Sequence, residues 1–544
     1  MVEIVVEKTE KNSTTLYQAL WNSADILRSK MDANEYKSYL LGLVFYKYLS
    51  DNMLQYVSVL LEEETEDLQL AQNLYVQACK DHNIKGDLLD ELQDEFSYTI
   101  EPQLTFTAQV NAIHDGSFQL EDLVQGFRDI EQSSEIFENL FEDIDLYSKK
   151  LGVSPQKQNK TIADVMKELS VLNMAGHAGD ILGDAYEYLI GQFASESGKK
   201  AGEFYTPQPV AKLMTQIVIQ GKENQKGFSV YDPTMGSGSL LLNAKRYSNE
   251  PGNISYFGQE LNTSTYNLAR MNMILHGVST ENQQLHNADT LDQDWPKEEP
   301  TNFDAVLMNP PYSANWSADK GFLEDVRFST YGVLAPKSKA DFAFLLHGYY
   351  HLKDTGVMAI VLPHGVLFRS GGEGKIRKVL LENGAIDTVI GLPANIFFNT
   401  SIPTTVIILK KDRPTKDVLF IDASQEFEKS KNQNTLTDGH IDTILQTYSK
   451  RENKDKYSYL AKFDEIIEND YNLNIPRYVD TFEEEEEISL ETISTNIQQT
   501  KLELANAENE LFGMLKEING TTEESDKELQ FFISQLMNEG KKNE

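Results

Sequence analysis

The sequence predicts an α/β protein, a doubly wound, Rossmann-like sheet core with an α-helical amino-terminal domain and a carboxyl-terminal helical, coiled-coil-like extension. Three observations predict it. From about Leu16 to Leu189 apolar residues recur at steps of three and four, as around Leu40, Leu43 and Val44, with few strand signals. Between residues 228 and 410 short β-rich runs alternate with helical stretches, which builds a mostly parallel sheet covered on both faces. Past residue 490 one narrow apolar stripe follows steps of four and three.

These patterns divide the 544 residues into a helical domain over 1–165, a sheet domain over 166–475 and a helical region over 476–544. The expected strands are F-S-V-Y-D at 228–232, S-Y-F-G-Q-E at 255–260, F-D-A-V-L-M-N at 303–309, V-M-A-I-V-L-P at 357–363, I-D-T-V-I-G at 386–391 and T-V-I-I-L-K at 405–410. The proline in N-L-N-I-P-R-Y-V, 472–479, and the five glutamates Glu483 to Glu487 that follow mark an expected connector or domain edge. Beyond it Ile493, Ile497, Thr500, Leu504, Ala507, Leu511, Met514 and Ile518 form a stripe that wants a partner helix, in its own domain or in another chain.

Composition bounds the function. Hydrophobic residues make up 40% and charged residues 25%, ordinary for a soluble protein, and no apolar run of about 18 residues is present to cross a bilayer. The start M-V-E-I-V-V-E-K lacks a basic n-region and an apolar h-region, so a cytoplasmic location without membrane attachment is expected. The single cysteine, Cys79, excludes an intrachain disulfide and a cysteine-based zinc site, and no metal is expected. With a formal charge of −36 the chain needs help to hold DNA, the competing reading being that the charge only keeps a cytosolic protein soluble.

The first expected strand runs into D-P-T-M-G-S-G-S-L-L-L, 232–242, a glycine-bearing turn before an apolar helix. In a doubly wound sheet such a turn lies at the carboxyl ends of the strands and admits a ligand close to the backbone. Neither this turn nor S-G-G-E-G-K-I at 370–376 fits the phosphate cradle of an ATPase. The third glycine of a dinucleotide fingerprint is replaced by Leu241, which disfavours NAD. Glu260 ends the second strand, where a carboxylate can accept hydrogen bonds from both hydroxyls of a ribose; a helix cap is its competing role. Asp289, in N-A-D-T-L, can accept an adenine amine or make an Asx turn.

The run F-D-A-V-L-M ends in N-P-P-Y, 309–312, which propagates neither sheet nor helix. An exocyclic amine is a poor nucleophile because its lone pair is delocalised into the ring. Two acceptors gripping its hydrogens, the Asn309 side-chain oxygen and the Pro310 carbonyl, favour a pyramidal nitrogen whose lone pair faces an electrophile. Pro310 and Pro311 stiffen the loop before substrate arrives, and Tyr312 offers a face on which an extruded base can stack. The matching electrophile is the methyl sulfonium of S-adenosylmethionine, whose adenosine suits Glu260 and Asp289. Cys79 lies far from this block, which argues against methylation at cytosine carbon 5. The aromatics Phe397 and Phe398, in G-L-P-A-N-I-F-F-N-T-S, can hold the flipped base, although aromatics beside a strand are more often core.

The order of these blocks resembles the modification (methyltransferase) subunit of type I restriction-modification systems, an adenine-N6 DNA methyltransferase. Its further marks are A-D-I-L-R-S-K-M-D at 24–32, L-V-F-Y-K-Y-L-S-D at 43–51, G-E-F-Y-T-P at 202–207, F-G-Q-E-L-N at 257–262 and N-L-N-I-P-R-Y-V. The resemblance implies that Glu203, Phe204, Tyr205, Thr206, Pro207 and Gln208 help enclose S-adenosylmethionine together with Met235, Gly236, Ser237 and Glu260, to which the strand-end residues Asp232 and Asp289 add from their own positions. It implies double-stranded DNA as substrate, clamped between the helical domain and the core. It further implies a specificity subunit that binds the carboxyl-terminal helix and serves two modification subunits, and an ATP-driven restriction (translocase) subunit for cleavage. Two other functions fit N-P-P-Y: methylation of a protein glutamine, or of cytosine N4. An inactive DNA-binding or assembly subunit is the alternative outside enzymology.

Overall fold

A computed structural model describes residues 16–175, 179–196, 206–397, 400–430, 433–481, 490–518 and 522–540. The chain forms two compact units, Met1–Thr481 and Phe482–Glu544.

In the first unit no strand precedes Ser229 among the described residues. Helix Ala33–Leu60 forms the centre of the helical part, burying Leu40, Leu41, Val44, Phe45 and Tyr46 within about two turns. Its Lys47 and Asp51, from the L-V-F-Y-K-Y-L-S-D block, make a buried ion pair at 2.7 Å, and Asp51 also accepts from the Met174 N–H at 3.0 Å. Surrounding helices start where the residue types dictate. Asp67 accepts from the backbone N–H groups of Gln69 and Leu70, Thr105 from that of Ala108, and Ser154, ahead of Pro155, from that of Lys157.

The sheet has nine strands: β1 (Ser229–Asp232), β2 (Ser255–Glu260), β3 (Gln283–Asn287), β4 (Phe303–Met308), β5 (Leu352–Pro363), β6 (Ile386–Gly391), β7 (Thr404–Lys410), β8 (Val418–Asp422) and β11 (Ser458–Ala461). A separate hairpin pairs β9 (Glu428–Lys429) with β10 (Asn434–Thr435). Spatial order in the large sheet is β11-β8-β6-β7-β5-β4-β1-β2-β3, with only β7 and β11 running antiparallel to their neighbours. Side chains alternate between faces, Val306 and Met308 into one apolar layer, Ala305 and Leu307 into the other. Strand order reverses at β1, which lies between β2 and β4, so a crevice opens at the carboxyl ends of β1 and β4.

Helix Thr263–Leu275, which leaves β2, joins the sheet to the helical part. Its Leu268, Met271 and Leu275 belong to the helical core, Arg270 donates to the carbonyls of Glu138 and Ile136, and Asn267 donates to that of Asn139.

The segment 472–479, expected as a connector, is instead packed core. Leu473, Ile475 and Val479 are buried, and Tyr478 stacks on Phe420 with ring centroids 4.0 Å apart. Gly391 makes room for this return: a Cβ there would lie 2.7 Å from Ile475 Cδ1. The compact unit accordingly runs on to Thr481. The acidic run 483–487 lies outside the described residues.

The second unit holds helices Leu490–Glu517 and Glu523–Gly540. Along the first, Ile493, Ile497, Leu504, Leu511, Met514 and Ile518 are all at least 40% exposed. No described helix is long and apolar enough to cross a membrane.

Candidate active site

β1 delivers Asp232 to the crevice. Its Oδ1 accepts from the N–H of Thr234 at 2.9 Å and from its hydroxyl at 3.2 Å, which turns the chain out of the strand. The turn is tied to the end of β2: Met235 N–H donates to the Gln259 carbonyl at 3.0 Å, and Gly236 N–H to Glu260 Oε2 at 3.1 Å. Gly238 then starts helix Ser239–Tyr247 at φ +79°, a conformation suited to glycine, over Ala269 and Met273. Burial, with Glu260 nearby, pushes the Asp232 carboxyl up to about 8 despite its bonds to Thr234.

A cavity of about 380 Å³ opens between these elements, lined by Pro233, Glu260, Asp289, Thr290, Pro311 and Phe344 among others. That volume suits a ligand of cofactor size. Glu260 Oε1 accepts from the Asn262 N–H at 2.8 Å, while Asn262 itself caps helix Thr263–Leu275 through Thr265. The carboxylate is therefore fixed by the backbone on both of its oxygens. Asp289 makes an Asx turn through Oδ1, accepting from the Leu291 N–H at 3.0 Å, and the residue also lines the cavity.

β4 delivers Asn309, which is buried. Its Nδ2 donates to Thr206 Oγ1 at 3.1 Å, and its Oδ1 accepts the Tyr312 hydroxyl at 2.9 Å, leaving the second lone pair of that oxygen for another donor. The half-buried Tyr312 ring meets Phe397 edge-on at 6.0 Å. Phe397 is itself buried in the core of one sheet face, the commoner role for an aromatic beside a strand.

Residues 177–487 match the family model of the N-6 DNA methylases, and residues 16–169 that of the HsdM N-terminal domain. The chain belongs to the N-6 DNA methylase family. Within it, the chain is 34% identical over 519 residues to the type I restriction enzyme MpnII methylase subunit of Mycoplasma pneumoniae, covering 91% of this chain and 94% of that one. It is 30% identical to the MjaVII methylase subunit of Methanocaldococcus jannaschii over 90% of this chain and 82% of that one. A crystal structure of the type I restriction-modification methyltransferase subunit of Streptococcus thermophilus shares 74% identity and superposes with a TM-score of 0.85, over 86% of this chain and 100% of that one. The protein is thus a type I methylase subunit, an adenine-specific DNA methyltransferase.

In this N-6 DNA methylase the residues expected to hold the donor fall in different places. Glu260, Asp289 and Pro311 line the cavity. Asp232, Met235, Gly236 and Ser237 are buried or tied down in the turn at its edge. Thr206, Pro207 and Gln208 do not line it: Thr206 holds Asn309, and Pro207 and Gln208 line a second cavity of about 170 Å³ with Tyr188, Ile396 and Asn434. Glu203, Phe204 and Tyr205, together with Phe398, lie outside the described residues. Gln208 is itself held by Glu187 at 2.7 Å, whose carboxyl burial pushes up to about 7. Phe344 and Thr290 escaped the sequence: Phe344 lies in the apolar helix D-F-A-F-L-L, where nothing distinguishes a pocket residue from core, and Thr290 merely neighbours Asp289.

Proposed function

We propose that the 380 Å³ cavity holds S-adenosylmethionine, and that Asn309, Pro310, Pro311 and Tyr312 present an extruded adenine to it. One observation carries this: Pro311, from the middle of N-P-P-Y, lines the same cavity as Glu260 and Asp289. When bound, the donor supplies an electrophilic methyl group on a positively charged sulfur.

Glu260, anchored through the backbone N–H groups of Gly236 and Asn262, accepts from the ribose hydroxyls. Asp289 accepts from the amine of the donor's adenine. The turn through Met235, Gly236 and Ser237 brings backbone close to the ligand. On the substrate side the second lone pair of Asn309 Oδ1 and the Pro310 carbonyl take the two hydrogens of the target amine, turning the nitrogen lone pair toward the methyl group. Thr206 orients the Asn309 amide and Tyr312 holds its oxygen in place, so the acceptor is set before the base arrives. Transfer of the methyl group from sulfur to the amine nitrogen would neutralise the sulfonium, and the amine proton would depart afterwards to water, so no strong base would be required of this chain's residues.

Double-stranded DNA is the substrate, and sequence readout comes from a specificity subunit that docks on the exposed apolar stripe of helix Leu490–Glu517, two modification subunits serving one specificity subunit. With a formal charge of −36 the chain needs that partner's cations to grip DNA, and an ATP-driven restriction subunit completes the cleaving complex. Coexpression with a specificity subunit, incubation with methyl-labelled donor and DNA, and digestion to nucleosides tests this. Label in N6-methyladenine is expected, with little from the chain alone. Label in N4-methylcytosine or in protein glutamine overturns it.

A further inference from the structure

Arg327 lies 15 residues past Tyr312, in the segment between β4 and β5, and plays no part in the chemistry above, yet it is almost fully buried at 2% exposure. A buried guanidinium needs its charge balanced and five N–H groups satisfied. All five have partners. Nε and one Nη2 hydrogen grip the Asp325 carboxylate, at 3.0 Å and 2.7 Å. The remaining three go to the Thr290 carbonyl (2.9 Å), the Leu291 carbonyl (3.2 Å) and His347 Nδ1 (3.0 Å). Two of the five bonds therefore end on the turn that begins at Asp289.

The third runs back to the other wall of the same cavity. Because His347 Nδ1 accepts from Arg327, its proton sits on Nε2 and is donated to the Tyr231 hydroxyl at 2.8 Å. Tyr231 in turn donates to Gln259 Oε1 at 2.6 Å, and Gln259 directly precedes Glu260. Thr290 closes the loop by donating through its hydroxyl to the Pro233 carbonyl. Burial and the neighbouring His351 and Arg327 depress His347, which keeps the ring neutral and the direction of the chain fixed.

We propose that Arg327 is a positioning residue for S-adenosylmethionine, whose planar fork sets the Asp289–Leu291 turn against the Gln259–Glu260 strand end across the donor cavity. This rests on the assignment of that cavity to the donor. Lysine cannot replace it, because an ammonium offers three donors from a single point and cannot span two carbonyls, a carboxylate and an imidazole.

The test uses Arg327→Lys in the assembled complex with its specificity subunit, with Glu260→Ala as reference. Donor affinity is read by titration calorimetry with S-adenosylmethionine, KM and kcat by methyl transfer, and folding by thermal melting. Arg327→Lys is expected to raise the donor Kd and KM about tenfold or more while kcat at saturating donor stays within about threefold. A folded Arg327→Lys with unchanged donor affinity, or with kcat lost and KM unchanged, overturns the proposal. Unchanged affinity in Glu260→Ala instead overturns the assignment of the cavity. Should Arg327→Lys fail to fold, Asp325→Asn, which loosens the fork and keeps the arginine, is expected to raise the donor KM alone; an unchanged KM there overturns the proposal equally.

Discussion

Truncating Asn309 to alanine tests the chemistry most directly, and the structure sets the size of the effect. The side chain is buried and bonded at both ends, to Thr206 through Nδ2 and to Tyr312 through Oδ1. Removing one preorganised acceptor that acts on charge developing in the transition state costs on the order of 2.7–4 kcal/mol, or roughly 10²–10³ in the rate of methyl transfer. The same truncation strands the buried Tyr312 hydroxyl, whose lost partner costs about 1–3 kcal/mol of stability. Asn309 does not line the donor cavity, so donor affinity is expected to stay within about threefold of the parent. The assay is single-turnover transfer of labelled methyl to DNA by the assembled complex, with calorimetric donor binding alongside. A folded Asn309→Ala that transfers at the parental rate refutes the assignment of Asn309 as the acceptor; a parallel collapse of donor binding refutes the separation of the two sites.

Glu260→Gln turns one carboxylate oxygen into an amide NH2, a donor that must face the N–H of either Gly236 or Asn262, and is expected to weaken the proposed ribose contacts by about 1.5–3 kcal/mol, roughly 10–100-fold in donor Kd by calorimetry. Asp232 titrates near 8 when folded and near 4 when unfolded, so between those values the native state keeps a proton that the unfolded chain has released, and stability falls as pH rises. Asp232→Asn keeps the bonds to Thr234 and is expected to remove a decline on the order of 1.4 kcal/mol per pH unit, read from denaturant midpoints between pH 4.5 and 8; parallel curves for the two proteins would contradict it. Leu504→Glu places a charge in the middle of the exposed stripe and is expected to abolish copurification with the specificity subunit while leaving donor binding untouched.

Much of the architecture was written in local pattern, and the gaps have physical causes. β2 and β6 coincide with their expected limits because each is a short apolar run bounded by turn residues. β3, Q-Q-L-H-N, is expected ahead of Asp289 but cannot be delimited, because it is an edge strand whose residues are only partly buried, so no alternation marks its ends. β8 hides its V-L-F-I-D behind a highly charged approach, and β11 is four residues long. The segment 472–479 looks like a connector because of its proline and polar neighbours, whereas the packing of Ile475 relies on a distant glycine; the domain edge expected there does follow, after Thr481. At the site, strand ends and turns carried Glu260, Asp289 and Pro311 into one cavity. The bond from Thr206 to Asn309 spans 103 positions of chain, and no local signal could announce it.

Helix Thr263–Leu275 has an unavoidable mechanical consequence. Its first turn is fastened through Asn262 to Glu260, while Asn267 and Arg270 further along are fastened to carbonyls of the helical part. The helical part cannot swing about the sheet unless those fastenings break or the helix travels with it and drags Glu260, at the rim of the cavity, along. The helical part and the rim of the cavity are thereby joined through one helix.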